Sequence, residues 1–339
     1  MTSVLKADRY VESPRGSAID LSDNTNLWGS PPSAAALLAS SEAGALSRYP
    51  SAYSDELKAA IASVNGVDPS MIVVGCGSDD VIDSILRATA EPGDVLAQLS
   101  PTFSMVRSFA ACSRLEVRDI PRDSSNVIAE IRETNPAIVY LCSPNNPTGD
   151  LIAAEMIQQI VDDATGVVIV DEAYIDFGGT SALGLLRGRS NLLITRTFSK
   201  AYGLAGLRVG YAVGDPALIE RVEAARGPYK VTMTAERVVM QVLQNDRSWV
   251  ADKVTKAITN RRRFSEALID LGLRPIQSEA NFVLVPVENS ALMSDELRSR
   301  GISVRSFCGL QGIGDALRIT VGPWETMALC IAALEEIVS

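Results

Sequence analysis

The densest chemical cluster in the sequence is Thr197-Phe198-Ser199-Lys200-Ala201-Tyr202-Gly203-Leu204-Ala205-Gly206-Leu207-Arg208, set between the apolar runs NLLIT and VGYAV. A lysine that follows a strand, sits among hydroxyls and small residues and has an arginine close behind suits a Schiff-base enzyme with an anion site alongside. Thr197, Ser199 and Arg208 supply donors for that anion, and Gly203 and Gly206 would let backbone approach a ligand closely. Out of this context Lys200 would be an ordinary exposed loop lysine. Ser143-Pro144-Asn145-Asn146-Pro147-Thr148-Gly149 follows the run AIVYLC, at the carboxyl end of a strand where open α/β sheets place ligands, although alone it is only a good turn. Asp171-Glu172-Ala173-Tyr174 follows GVVIV. An acid at the end of a buried strand is costly without a cation, while an isolated acid pair also serves as a helix cap. Gly75-Cys76-Gly77-Ser78-Asp79-Asp80 leads into the helical VIDSILRATA. Glycines opening a helix leave N–H groups free for an anion, or simply cap it. Each of the four signals falls at a strand end in one sheet.

The sequence contains no histidine. That excludes a Ser-His-Asp triad, a Cys-His pair, His-ligated zinc or haem and a His general base. Acid-base work must fall to Lys, Asp, Glu, Tyr or Cys, or to a cofactor that brings its own chemistry. The formal charge is -10, from 31 Lys plus Arg against 41 Asp plus Glu, which disfavours nucleic acid and anionic membrane surfaces as partners. Five widely spaced cysteines without a CxxC pair predict a reduced, cytoplasmic protein. No apolar run approaches a membrane span, and the start MTSVLKADRYVESPRG lacks the apolar stretch of a signal peptide.

With 339 residues, 47% of them hydrophobic, the chain predicts one large α/β unit plus a smaller domain. From about residue 54, helix-like stretches alternate with β-rich runs at Met71 to Val74, Asp94 to Leu99, Leu115 to Arg118, Ala137 to Leu141, Val167 to Val170, Leu192 to Thr195 and Val209 to Val213. Several are apolar on both faces, as strands between two helical layers must be. Asp215-Pro216 opens a helix running to Arg226, and a long helical stretch follows from about Thr234 to Leu271. Asn281 to Pro286, Ile302 to Arg305 and Ala316 to Val321 then predict short strands of a smaller α+β domain. The expected organisation is an N-terminal arm over 1–34, packed on the small domain or a partner subunit, a large domain over 35–228 and a small one over 229–339.

Taken in order, GCGSDD, SPTF, SPNNPTG, DEAYIDF, RTFSKAYGLAGLRVGY, NFVLV and LRITVG resemble the fold-type I pyridoxal-phosphate aminotransferases, in their histidinol-phosphate aminotransferase-like branch. The match covers roughly residues 20–325. A nicotinamide Rossmann enzyme is excluded because no GxGxxG follows the first strand. The resemblance implies an α/β fold of PLP-dependent transferase type I: a large domain with a mostly parallel central sheet covered by helices, plus a smaller α+β C-terminal domain. It implies pyridoxal 5'-phosphate bound to Lys200 as a Schiff base, with Asp171 paired to the pyridine nitrogen. By the same resemblance Asn146 and Tyr174 would bond the ring's phenolic oxygen, and Phe103 would stack on its face. Gly77, Ser78 and Asp79 would hold the phosphate, closed in by Thr197, Ser199 and Arg208. Family members are homodimers with shared sites, and Tyr49 in Arg48-Tyr49-Pro50 matches the tyrosine that reaches the neighbour's cofactor phosphate.

For the substrate, Arg318 in LRIT matches the arginine that grips a substrate carboxylate or phosphate. Trp28 stands in the arm where relatives carry a tyrosine, and Tyr229 in Gly227-Pro228-Tyr229-Lys230 matches the family, with Lys230 as an added cation. The implied activity is transamination between an amino acid or amino-alcohol phosphate and a 2-oxo acid such as 2-oxoglutarate, with histidinol phosphate the leading donor. The alternatives are an aromatic or specialised amino-acid aminotransferase, and a decarboxylase resembling the threonine-phosphate decarboxylases. A non-catalytic effector-binding domain on this fold would carry a basic helix-turn-helix segment, but the residues ahead of the first helix of the cofactor domain are not basic and Lys200 is intact.

Overall fold

A computed structural model of the chain describes residues 16–40 and 47–338. Its strands are β1 (Ile19–Asp20), β2 (Ile72–Cys76), β3 (Val95–Ser100), β4 (Glu116–Pro121), β5 (Ile138–Cys142), β6 (Val167–Asp171), β7 (Leu192–Thr197), β8 (Val209–Gly214), β9 (Phe282–Pro286), β10 (Ile302–Ser303), β11 (Arg305–Leu310) and β12 (Gly314–Thr320). The helices are α1 (Pro32–Ser40), α2 (Asp55–Asn65), α3 (Gly77–Thr89), α4 (Met105–Cys112), α5 (Val127–Thr134), α6 (Ala154–Asp163), α7 (Pro216–Arg226), α8 (Met233–Asn245), α9 (Arg247–Asp270), α10 (Ser290–Ser299) and α11 (Trp324–Val338).

Seven strands form the central sheet in the order β2-β8-β7-β6-β5-β3-β4. All pairs are parallel except those made by β8, which runs against both β2 and β7. Side chains alternate between faces along a strand. Val139, Leu141, Val168, Val170 and Ile194 therefore pack in one helical layer, while Ile138, Tyr140, Ile169 and Leu193 pack in the other. This double covering is why β5 and β6 read as unbroken apolar runs. The carboxyl ends of β2, β3, β5, β6 and β7 share one edge. Because β8 runs the other way, Arg208 at its start lies on that same edge.

The smaller unit holds the antiparallel sheet β11-β12-β9 against α9, α10 and α11, with its own apolar core around Phe264, Leu297, Leu317 and Met327. The arm packs on it, since β1 pairs in parallel with β10. The first fifteen residues of the expected arm lie outside the described residues. The long helical stretch expected from Thr234 is two helices broken at Asp246, whose carboxylate accepts from the backbone N and hydroxyl of Ser33 at the start of α1. Val238, Val239 and Val242 of α8 belong to the core of the large unit, so that unit extends past residue 228, to about the break. Among the described residues no helix is long and apolar enough to cross a membrane.

Close backbone approach at the functional edge rests on Gly210 of β8, where a Cβ would overlap the backbone of Gly77 and Ser78. Gly210→Ala should therefore lower the stability of the cofactor-free protein by about 1–3 kcal/mol, the usual cost of overpacking, read as a fall in its thermal unfolding midpoint. An unchanged midpoint would mean that the turn is not seated on the strand.

Candidate active site

A cavity of about 370 Å³ opens at the carboxyl edge of the sheet and gathers all four sequence clusters. Ser78 and Asp79 line it from the first turn of α3, Thr102 and Phe103 from the turn after β3, and Asn146 from the turn after β5. Asp171 and Tyr174 come from the end of β6, Thr197, Ser199 and Lys200 from the end of β7, Arg208 from the start of β8 and Arg318 from β12. A larger recess of about 840 Å³ lies at the opposite edge, around Gly93, Asn135, Gly166 and Asn191, and holds none of these clusters.

Asp171 is 3% exposed. Its carboxylate accepts from the Tyr140 hydroxyl at 2.7 Å and from the backbone N of Ala173 at 3.1 Å. Burial pushes its pKa up to about 6, against the lowering effect of these donors. The register pairs Asp171 with Cys142 on one side and Thr195 on the other. Next to it, Glu172 is held by Arg196 at 2.7 Å and by Ser181 at 2.8 Å. Adjacent acids in the sequence thus separate into one aimed at the cavity and one pairing β6 to β7.

Lys200 Nζ donates to the backbone carbonyl of Asp23 at 3.0 Å. Burial pulls its pKa down to about 8, and the nearby Arg318 guanidinium adds to this. Tyr174 is buried edge-on against Phe282, accepts from Asn24 at 3.0 Å, and burial raises its pKa. Arg208 reaches Asp79 at 3.1 Å and Ser199 at 3.4 Å, and lies over Gly77, where a Cβ would overlap the guanidinium. The first-turn N–H groups of α3 have no intrahelical acceptors. Beside Arg208, Thr197 and Ser199 they form a cradle for a phosphate, and an enclosed anionic carboxylate faces the lysine across the same cavity. The residue set fits pyridoxal phosphate: a phosphate cradle, a carboxylate partner for a protonated ring nitrogen and an amine of lowered pKa.

The two asparagines of SPNNPTG divide their work. Asn145 is fully buried and ties its loop to the SPTF turn through the carbonyl of Pro101 and the hydroxyl of Thr102. Asn146 faces the cavity, its side-chain oxygen accepting from Arg318 at 2.5 Å. Arg318 also donates to the carbonyl of Ser22, so arm, large unit and small unit meet at one guanidinium.

Several expected site residues lie elsewhere in the single subunit. Trp28 packs with the cluster around Tyr174, Phe177 and Val250, outside the cavity lining. Tyr49 is 81% exposed and stacks on Tyr229, itself 48% exposed, with ring centroids 4.8 Å apart. Gly203, expected to admit a ligand, has a φ of 66° and admits the arm instead, since a Cβ would overlap the carbonyl of Gly29; Gly206 approaches nothing closely. Two contributors had no marked sequence signal. Tyr140 looks like one more apolar residue of a strand buried on both faces. Arg305 is visible only as the cross-strand register partner of Arg318, with which it lines the cavity.

Comparison with known proteins agrees with this geometry. The family model for aminotransferase class I and II matches residues 17–337. The chain belongs to that family. A histidinol-phosphate aminotransferase of Thermoanaerobacter sp. (strain X514) is 35% identical over 296 residues, covering 85% of this chain and 84% of the relative. The crystal structure of histidinol-phosphate aminotransferase from Sinorhizobium meliloti in complex with pyridoxal-5'-phosphate superposes with a TM-score of 0.88 at 25% identity, covering 100% and 97% of the two chains. L-threonine-O-3-phosphate decarboxylase from Porphyromonas gingivalis shares the fold, with a TM-score of 0.85, 24% identity and coverage of 94% and 99%. As a class I and II aminotransferase the chain is a pyridoxal-phosphate-dependent enzyme of fold type I.

Only the neutral amine of Lys200 can attack an aldehyde. With its pKa drawn down to about 8, cofactor uptake by the cofactor-free protein should accelerate with rising pH and level off above about 8. Stopped-flow absorbance across the pH range measures this, and a rate still climbing at pH 10 would contradict the buried setting of the amine.

Proposed function

We propose that this aminotransferase moves an amino group from a phosphorylated amino alcohol, histidinol phosphate first among them, to a 2-oxo acid such as 2-oxoglutarate. The observation that carries the substrate half is the pair Arg305 and Arg318, register partners on adjacent strands and both on the cavity wall. Two guanidinium groups, additional to the phosphate cradle at α3, suit a dianionic phosphate in one half-reaction and the second carboxylate of a dicarboxylic 2-oxo acid in the other. The names of the relatives support the same reading.

In this reading Ser78 and Asp79 offer backbone N–H groups to the cofactor phosphate, with Gly77 shaping the turn and Thr197, Ser199 and Arg208 adding donors. Asp171 pairs with the ring nitrogen and holds its proton, kept anionic by Tyr140. Asn146 and Tyr174 hold the phenolic oxygen, and Phe103 covers the ring. Bound there, the cofactor supplies a protonated ring that accepts the electron pair left at the donor's α-carbon. Lys200 takes the proton from that carbon through Nζ and holds it for return. The SPNNPTG turn, the arm and β12 screen the reacting atoms from water. The exposed Tyr49–Tyr229 ring pair supports a homodimer in which Tyr49 completes the partner's phosphate site. Five unpaired cysteines, three of them exposed, support a cytoplasmic setting.

The test is a single-turnover panel of histidinol phosphate, histidinol, aromatic amino acids and threonine phosphate, read by cofactor absorbance and by release of carbon dioxide. Histidinol phosphate should convert the cofactor to its amine form fastest, and removing its phosphate should cost about 100-fold, the worth of one or two charge-assisted contacts. Arg305→Gln should erase most of that difference. Equal rates with and without phosphate would overturn the donor assignment, and carbon dioxide from threonine phosphate would favour the decarboxylase.

A further inference from the structure

Lys230 stands beside Tyr229, which matches the family, and the sequence suggests it as an extra cation for the substrate. It does not line the cavity. Its ammonium group instead meets Asp80 at 2.9 Å, on the far side of the first turn of α3. The other Asp80 oxygen accepts from the backbone N of Cys76 at 3.0 Å, closing the Cys76-Gly77 turn from four residues ahead. Gly75 makes room for this, since a Cβ there would come within 2.8 Å of the same carboxylate.

The first turn of α3 therefore carries two carboxylates, Asp79 and Asp80, where N–H groups converge. A helix N-terminus favours negative charge. A phosphate placed on the same turn would nonetheless be repelled by both acids. Each acid has its own cation: Arg208 for Asp79 and Lys230 for Asp80. Arg208 faces the cavity and is shared with any phosphate there, whereas Lys230 lies outside it. Arg226 lies near enough to feel the charge of Asp80 but does not hold it: its three guanidinium nitrogens make no hydrogen bond among the described residues, and the Glu223 carboxylate, 4.0 Å away, is already held by Lys58 at 2.8 Å.

We infer that Lys230 is a positioning residue for the cofactor phosphate: by neutralising and orienting Asp80 it lets the Cys76–Asp79 turn accept a dianion. This rests on the proposed seating of pyridoxal phosphate at α3. Lys230 touches neither cofactor nor substrate; it acts through Asp80. The left-handed φ of 61° at Tyr229 directs the chain so that Tyr229 packs on Tyr49 while the next residue reaches α3.

The experiment is equilibrium binding to cofactor-free protein of pyridoxal phosphate and of pyridoxal, which lacks the phosphate, followed by absorbance. Lys230→Met, with Lys230→Gln as a second neutral variant, should weaken pyridoxal phosphate on the order of tenfold and leave pyridoxal unchanged, because only the phosphate feels the uncovered carboxylate. Lys230→Arg should bind like the parent. Asp80→Asn added to Lys230→Met should recover most of the loss, since the repelling charge is gone while an acceptor for Cys76 N remains. The defect should shrink at low salt-screening distance, in high salt. Unchanged affinity for pyridoxal phosphate, equal loss for both ligands, or no recovery in the double variant would each overturn the inference. A parent protein that fails to bind pyridoxal phosphate at all would overturn the seating on which it depends.

Discussion

A carboxylate at the end of a buried strand, almost closed to water and facing a cavity, is the constraint on which the rest of this site depends. Asp171 is met by neutral donors, the Tyr140 hydroxyl and the backbone N of Ala173 among them, and burial raises its pKa to about 6. Its ionised form is costly until a positive partner arrives. A protonated ring nitrogen is such a partner, and the same cavity presents a lysine whose ammonium is destabilised by burial and by an arginine neighbour. Each group is held in an unfavourable protonation balance that one ligand can relieve.

The surrounding charges are sorted so that few are wasted. Glu172 pairs with Arg196 and Asp80 with Lys230 away from the cavity, whereas Asp171, Lys200, Arg305 and Arg318 line it. Three pieces of chain distant in sequence meet there: the arm through Asn24 and the carbonyls of Ser22 and Asp23, the large unit through Asn146 and Tyr174, and the small unit through Arg318. The position of Asn146 is thereby tied to the small unit through Arg318, and that of Lys200 to the arm through Asp23.

Much of this was legible in the sequence. The seven strands of the large sheet are marked by β-rich runs, several of them apolar on both faces, and the clusters at their carboxyl ends name nearly every cavity-lining residue of that unit. Boundaries failed where propensity does not record packing. Helix α8 looks continuous with α9, and only its burial among the large-unit valines shows where it belongs. Trp28 stands in a motif that points to substrate, and its indole packs beside Phe177 and Val250. Tyr140 was hidden because a tyrosine in an apolar strand looks like core, and its hydroxyl gains meaning only when β6 is laid beside β5.

By itself the sequence determined the absence of histidine chemistry, the alternation of strands and helices, and the lysine, acid and glycine clusters that local rules can recognise. Tertiary structure alone decided which charge meets which. Lys230 goes to Asp80 rather than to substrate, Arg305 joins Arg318 across two strands, and Gly203 serves the arm rather than a ligand. The physical reason is that backbone propensity and periodicity act over a few residues, whereas Coulomb forces and close packing depend on distances set by strand register and by the order in which strands enter the sheet.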